Sequence, residues 1–270
     1  MPRSLRPCAA WFSALDRNLR PVKIGLIGAG NMASALARGW NEPAVVADVD
    51  RDRATALANA IGGSVAETNA AVAQQADVVV LCHKPAQLDE VAQEIRGEAE
   101  AIVSILGGVP VAAVEAAYPE RPVYRFMPNQ GAEVRRGVSC YVAGSRAADG
   151  PERDVLDLFG RVGTVVPVPE EQMETATALM SCAPAWIALA AEALVDAGVR
   201  HGIPRDQAGR LVAETVAGTG ELLTRAGVDP AELRRRVTSP GGLTERGTAV
   251  LEAAGLRAAF DGAVDAVVGE

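Results

Sequence analysis

Two short stretches of this chain hold residue types that could do chemistry. The first is Val237-Thr238-Ser239-Pro240-Gly241-Gly242-Leu243-Thr244. It lies between helical patterns over 229–236 and 244–252, in the order a helix start needs: a hydroxyl cap, a proline in the first turn, then glycines. Bare backbone N–H groups at such a terminus, together with the positive end of the helix dipole, form a seat for a carboxylate or phosphate. Spacing alone favours a capped helix start with no ligand, because caps are far commoner than anion sites. The second stretch is Gly28-Ala29-Gly30-Asn31-Met32-Ala33. A β-rich run over 22–27 precedes it, and helical periodicity in Met32, Ala35, Leu36 and Trp40 follows. Strand, glycine turn and helix in that order are the setting of a dinucleotide fingerprint. Gly28 makes the tight turn, Gly30 lets the backbone close on a pyrophosphate, and Ala33 is small enough for the helix to pack near the strand. A strand over 44–47 ends at Asp48, about 20 residues after the first glycine, where an acid holds the adenosine ribose hydroxyls. A dinucleotide is therefore the expected ligand of this turn. Asp48 repels a 2′-phosphate and tilts the site toward NADH, while Arg51 and Arg53 are spaced to pair with one.

The elements that must position these residues alternate regularly. Helices are expected over 51–60 and 69–75. A buried strand over 77–82 (Val78-Val79-Val80-Leu81) stops at His83-Lys84-Pro85. A strand over 101–105 ends in Gly107-Gly108, and one over 122–126 ends in Met127-Pro128-Asn129. Ligands of doubly wound sheets collect outside the carboxyl ends of the strands, and these turns mark that edge. Strands over 137–143 and 162–168 flank a helix near 152–159 and extend the sheet. Beyond about 167–172 only helical patterns remain, over 172–180, 184–201, 204–225 and 255–268 besides the two around the first stretch. The fold class read from this is α/β, a Rossmann-type doubly wound sheet followed by an all-helical dimerisation domain. Residues 1–21 form a tail, 22–168 the nucleotide domain and 169–270 the helical domain. Apolar positions between 186 and 199 cover more than one helix face, so that helix is expected to be buried by its own domain or by a partner subunit.

Composition narrows the function classes. The chain is 49% hydrophobic but only 4% aromatic, so its interior must be mostly Ala, Val and Leu. A net charge of −8 and a pI near 5.0 argue against a nucleic-acid surface and against anionic membranes. Cys8, Cys82, Cys140 and Cys182 are too widely spaced for a metal site or a disulfide framework, and read as free thiols of a reducing cytoplasm. No apolar run is expected to reach the ~20 residues that span a bilayer. The tail is Arg-rich with one acid, Asp16, and lacks both a long apolar core and a small-residue cleavage site. It is expected to be disordered or to precede the true start. His83 and His201 read as structural, and Cys182 as a small buried apolar residue.

Taken together, the motifs resemble the pyrroline-5-carboxylate reductase family. The marks run from Lys23 to about Asp265: Ile24-Gly25-Leu26-Ile27 leading into the glycine turn, Lys84-Pro85 closing a strand, and Met127-Pro128-Asn129. Asp196-Ala197-Gly198-Val199 stands before Gly202-Ile203-Pro204-Arg205. The most specific mark is Thr238 to Thr244, followed by Val250-Leu251-Glu252. The resemblance implies reduction of the C=N bond of a cyclic imino acid to L-proline with hydride from NADPH or NADH. It also implies a homodimer or a larger dimer-based assembly. Ser239 and the backbone N–H groups of Gly241, Gly242, Leu243 and Thr244 would hold the substrate carboxylate, and the Thr244 hydroxyl would face the ring nitrogen as the catalytic group. Gly28, Gly30, Asn31 and Met32 would lie under the pyrophosphate, with Asn69, Lys84, Met127 and Asn129 along the nucleotide crevice. A cyclic imine can arrive protonated, so the protein's task is positioning, which can remove up to ~7–11 kcal/mol of barrier.

Two departures from the family pattern bear on the substrate. Gln130-Gly131 stand where Thr-Pro is usual, and Met180-Ser181-Cys182-Ala183 stand where Ser-Gly-Ser-Gly is usual. The resemblance puts the latter loop near nicotinamide and substrate, so side chains there change backbone freedom and pocket volume. Three other readings remain at this point. One is a paralogue acting on another cyclic imine. Another is a β-hydroxyacid-type dehydrogenase, which needs a lysine in the helical domain; the only lysines here are Lys23 and Lys84. The third is a non-catalytic NAD(P)-binding sensor.

Overall fold

The computed structural model describes residues 22–225 and 227–269. The expectations for residues 1–21, Cys8 included, lie outside the described residues. The chain divides into two units, up to Glu170 and from Glu171 onward.

In the first unit, short β-rich runs alternate with helices: β1 (Ile24–Ile27), α1 (Asn31–Trp40), β2 (Ala44–Ala47), α2 (Arg51–Ile61), β3 (Ser64–Val65), α3 (Asn69–Gln75) and β4 (Val78–Leu81). They continue as α4 (Leu88–Ile95), β5 (Ile102–Ser104), α5 (Val111–Ala117), β6 (Val123–Pro128), β7 (Gly137–Ala143), α6 (Glu152–Gly160) and β8 (Gly163–Pro167). The eight strands form one sheet in the order β3-β2-β1-β4-β5-β6-β7-β8, parallel throughout except where β6 meets β7. Every residue of β1 and β4 is buried, as the unbroken Val78-Val79-Val80-Leu81 run demands of strands covered on both faces. This is the Rossmann-type doubly wound sheet expected from the sequence, and its order reverses between β1 and β4.

Two apolar layers sandwich the sheet. One joins α1, α2 and α6 residues to Ile24, Leu26, Val78, Val80, Tyr124 and Phe126; the other joins α3, α4 and α5 residues to Ile27, Val79, Leu81 and Val123. The few aromatic residues are concentrated in the first layer. Phe126 and Phe159 stack with centroids 3.8 Å apart, Trp40 meets Phe159 edge-on at 5.5 Å, and Tyr141 lies 4.8 Å from Phe126. On the other face, the buried Arg125 side chain of β6 pairs with Glu170, which also accepts the Val111 N–H at 3.2 Å. The pair ties the last residue of the unit to the sheet. β3, α4 and α5 are not among the elements expected from the sequence. Met127 and Pro128 are not turn residues: they belong to β6, opposite Cys140 and Ser139 of the antiparallel neighbour.

The second unit is entirely helical: α7 (Met173–Thr177), α8 (Ala183–Arg200), α9 (Arg205–Arg225), α10 (Pro230–Arg236), α11 (Leu243–Ala253) and α12 (Leu256–Val268). The expected loop at Met180-Ser181-Cys182-Ala183 does not exist. A π-helical turn, Ala178–Cys182, carries the helix straight through, with the Ala183 N–H reaching the Ala178 carbonyl. Pro184 lacks an N–H and crowds the carbonyl four residues back, and the widened turn just before it relieves that conflict.

The resulting helix, Glu170–Arg200, has 31 residues and a most apolar window of mean hydropathy 1.7. By length and composition it could cross a membrane, which corrects the sequence reading that no stretch qualifies. Alanines supply much of that hydropathy, and they also suit close packing of helices. No residue of α8 is buried within the chain: Ile187, Leu189 and Leu194 are each more than half exposed. The apolar faces expected to be covered are therefore not covered by their own unit.

Phe159→Ala should cost about 3–5 kcal/mol of stability, as for other buried aromatics. Urea denaturation at fixed protein concentration measures it; a loss below 1 kcal/mol would mean that the Trp40–Phe126 layer closes over the gap.

Candidate active site

The nucleotide end is built around one glycine. Gly28 follows β1 with φ +105°, in the left-handed half of backbone space where side chains are strained. A Cβ there would sit 2.7 Å from both the carbonyl carbon and oxygen of Cys82, and 2.9 Å from the His83 nitrogen. The turn is thus pressed against the end of β4, at the point where the strand order reverses. Its N–H donates to the Ala47 carbonyl at 2.8 Å, and the Cys82 N–H donates to that of Ile27 at 2.8 Å. These bonds fix the turn to β2 and β4 together.

Over Gly30 the space is open, with nothing within 4 Å of a Cβ built there. Gly30 caps α1 without any side-chain hydrogen bond, so the first-turn N–H groups of Asn31 and Met32 keep their donors for an incoming group. Ala33 is buried in the layer beneath, where a larger residue would lift the helix. An open cradle over bare donors at the positive end of a helix suits a pyrophosphate, so these residues fit the nucleotide.

Asp48 has a structural task at the same edge. Its Oδ2 accepts the Ala29 N–H at 2.6 Å and its Oδ1 accepts the Asp50 N–H at 2.8 Å. The acid read as a ribose ligand also braces the glycine turn. Arg51 lies 3.9 Å from Glu67, and Arg53 lies 3.2 Å from Asp50.

The remaining expected nucleotide residues spread along the carboxyl edge of the sheet. Lys84 is exposed just beyond β4, before the turn Pro85–Gln87, and its N–H donates to Gln87 Oε1 at 3.2 Å. Asn69 opens α3 and donates to Glu94 Oε2 at 2.8 Å. Met127 and Asn129 lie two strands from β4 and are nearly buried. Asn129 binds across to β7: its Oδ1 accepts the Val138 N–H at 3.0 Å, and its own N–H donates to the Val138 carbonyl at 3.1 Å. Gly131 follows because a Cβ there would come 2.8 Å from the Arg136 carbonyl oxygen.

His83 sits beside the glycine turn with Nδ1 2.9 Å from the Lys84 carbonyl and Nε2 buried without a partner. Burial lowers its pKa, so it is neutral at physiological pH. Burial likewise pushes the Cys82 thiol up, leaving it no nucleophile. No cluster of three or more His, Cys, Asp or Glu side chains capable of holding a metal occurs among the described residues.

In the helical unit, the second motif differs in detail from the expected capped start. Thr238 lies two residues beyond α10, and its hydroxyl reaches back to donate to the Arg234 carbonyl at 2.7 Å. Ser239 to Gly242 make a tight turn closed by the Gly242 N–H on the Ser239 carbonyl at 2.9 Å, so Pro240 stands before the helix and not in its first turn. Gly241 has φ +72°, which this turn requires. Gly242 caps α11 without a side-chain bond, leaving the Leu243 and Thr244 N–H groups at an open terminus. Among the described residues the Ser239 and Thr244 hydroxyls donate to no partner. One residue that sequence reasoning missed is Glu245, whose Oε2 accepts the Gly241 N–H at 2.6 Å. The available signal was its place as the third residue of the helix, from which glutamate reaches back in a capping box.

Comparison with known proteins agrees with this division. Residues 170–270 match the family model described as pyrroline-5-carboxylate reductase dimerisation, and residues 23–108 match one described as NADP oxidoreductase coenzyme F420-dependent. The pyrroline-5-carboxylate reductase of Methanosarcina acetivorans is 37% identical over 90% of this chain and 94% of its own length. That of Synechocystis is 36% identical over 91% and 95%. Among solved structures, Plasmodium falciparum pyrroline carboxylate reductase with NADP bound superposes with a TM-score of 0.82 at 27% identity, over 92% of this chain and 96% of that one.

Gly28→Ala should abolish cofactor binding, because the added methyl cannot fit between the turn and Cys82. Titration of nucleotide fluorescence would reveal it, and an unchanged affinity would show that the turn can move off β4.

Proposed function

The chain belongs to the pyrroline-5-carboxylate reductase family, and we infer on that footing that it reduces the C=N bond of 1-pyrroline-5-carboxylate to give L-proline, with hydride from NAD(P)H. It is an oxidoreductase acting on CH–NH groups, with a small-molecule substrate and a homo-oligomeric form. The observation that carries this reading is kinship over 90% of the chain, which includes both the nucleotide turn and the helical unit.

The residue roles are proposals supported by the geometry above. Gly28, Gly30, Asn31 and Met32 hold the pyrophosphate on the open N-terminus of α1, with Asp48, Asn69, Lys84, Met127 and Asn129 along the rest of the nucleotide. When bound, the reduced nicotinamide supplies the hydride. The N–H groups of Gly241, Gly242, Leu243 and Thr244, with the Ser239 hydroxyl, hold the substrate carboxylate at the positive end of α11. Thr244 then turns its hydroxyl toward the ring nitrogen. A protonated imine needs no strong protein acid, and a neutral hydroxyl suffices to orient it. Neutral His83 fits a scheme in which no imidazolium takes part.

A modest preference for NADH is also proposed. Asp48 opposes a 2′-phosphate, and Arg51 and Arg53 each stand near a carboxylate of this chain. The apolar flank of α8 is proposed to meet a second copy of the chain in a homodimer or a larger dimer-based assembly, not lipid. The matched dimerisation region begins at the same helix. The net charge of −8 opposes nucleic acid as a partner. A cytoplasmic setting suits the unpaired Cys82, Cys140 and Cys182.

Thr244→Ala should lower kcat on 1-pyrroline-5-carboxylate by roughly 10–100-fold while leaving cofactor affinity near its parent value, as expected for a positioning contact. Equal loss of both would point to collapse of the helix start. Initial rates at matched NADH and NADPH concentrations should favour NADH; a strong advantage for NADPH overturns the reading of Asp48. Turnover is also the test against a non-catalytic sensor, which would bind nucleotide and leave every cyclic imine unreduced.

A further inference from the structure

The substrate seat already holds a carboxylate belonging to the chain. Glu245 is the third residue of α11, and its Oε2 accepts the Gly241 N–H at 2.6 Å. That N–H is one of the donors assigned above to the substrate carboxylate. An N–H directed at one carboxylate cannot serve a second at full strength, so the two anions compete for the same turn. Glu245 is exposed and held by no other hydrogen bond or ion pair among the described residues, which leaves it free to rotate away.

The structure also offers it somewhere to go. A hollow of about 290 Å³ beside the turn is lined by Arg234, Arg235, Thr238, Glu245, Thr248 and their neighbours on α11. Arg234 there bonds Glu252 at 3.1 Å and Arg235 bonds Glu232 at 2.6 Å. Each guanidinium has further N–H groups to offer a second carboxylate.

We propose that Glu245 is an internal stand-in for the substrate carboxylate: it occupies the Gly241 N–H in the free enzyme and is displaced toward the Arg234–Arg235 hollow when substrate binds. This rests on the reading of residues 239–244 as the substrate seat. Glu245 therefore tunes affinity for carboxylate-bearing ligands alone: their carboxylate must displace it from the Gly241 N–H, whereas ring compounds without a carboxylate have no need to. The price of the arrangement is a weaker apparent affinity for the true substrate, reduced by the fraction of time the seat is free.

The test compares the parent enzyme with Glu245→Ala and Glu245→Gln on 1-pyrroline-5-carboxylate and on 1-pyrroline, the same ring without the carboxylate. Glu245→Ala should lower KM for 1-pyrroline-5-carboxylate by roughly three- to tenfold, the factor expected when a seat filled most of the time is freed. Glu245→Gln should lower it by less, since a neutral amide oxygen accepts more weakly than a carboxylate. KM for the cofactor and KM for 1-pyrroline should stay at their parent values. If KM for 1-pyrroline-5-carboxylate is unchanged or rises in both variants, the proposal is overturned, and a rise identifies Glu245 as a brace that holds the turn in working shape. Ser239→Ala separates this from failure of the underlying reading. It should raise KM for 1-pyrroline-5-carboxylate; no change would overturn the seat itself and the proposal with it.

Discussion

A gap too small for a methyl group governs the nucleotide half of this protein. The turn after β1 lies so close to the end of β4 that a Cβ on Gly28 would overlap the Cys82 carbonyl. Everything else at that edge follows from this approach. The turn hydrogen-bonds β2, β4 hydrogen-bonds β1, and Asp48 clasps the next residue of the turn through the Ala29 N–H. Helix α1 starts from that fixed point, with its first donors uncapped and the space over Gly30 open. The site is assembled largely from backbone, which a buried parallel sheet positions more rigidly than flexible side chains could.

The helical half uses the same device with a different anchor. A turn whose Gly241 needs positive φ delivers the chain to the start of α11 without a side-chain cap. Here an internal carboxylate, Glu245, meets one of the donors. A bare helix terminus attracts any nearby anion, including one from its own first turn. The two turns therefore differ in one respect that matters for ligands: the nucleotide turn is braced from behind by Asp48, whereas the other is met by an acid from the helix it opens.

The helical unit also exposes apolar surface that no single chain hides. Leu179, Ile187, Leu189, Leu194, Val250 and Leu251 are each more than half exposed. Such a surface is costly in water, and the region that bears it matches a family model described as dimerisation. The π-helical turn before Pro184 lets this helix run unbroken where a loop was expected. The residues that depart from the family pattern, Met180 to Ala183, therefore lie within a continuous helix and not in a flexible loop.

The amino-acid sequence by itself determined the α/β class, the change to all-helical structure near residue 170, and both glycine-bearing motifs. These are written in local terms: runs of Val and Ile, 3.6-residue periodicity, and glycines at fixed spacing. β2 was legible to the residue, because Ala44–Ala47 ends at an acid in the expected place. What local patterns do not encode is which groups meet across the fold. Met127 and Pro128 read as a turn because proline usually ends a strand, yet they pair with Cys140 and Ser139 across an antiparallel register set by β7. Asp48 read as a ligand and proved also to be a brace, because Ala29 lies 19 positions earlier and only the sheet brings its N–H within 2.6 Å. Glu245 went unremarked because its importance rests on the left-handed turn at Gly241, which aims one N–H at one carboxylate. Periodicity and motif spacing fix the elements, but the partners of each polar group depend on distances that exist only once those elements have packed.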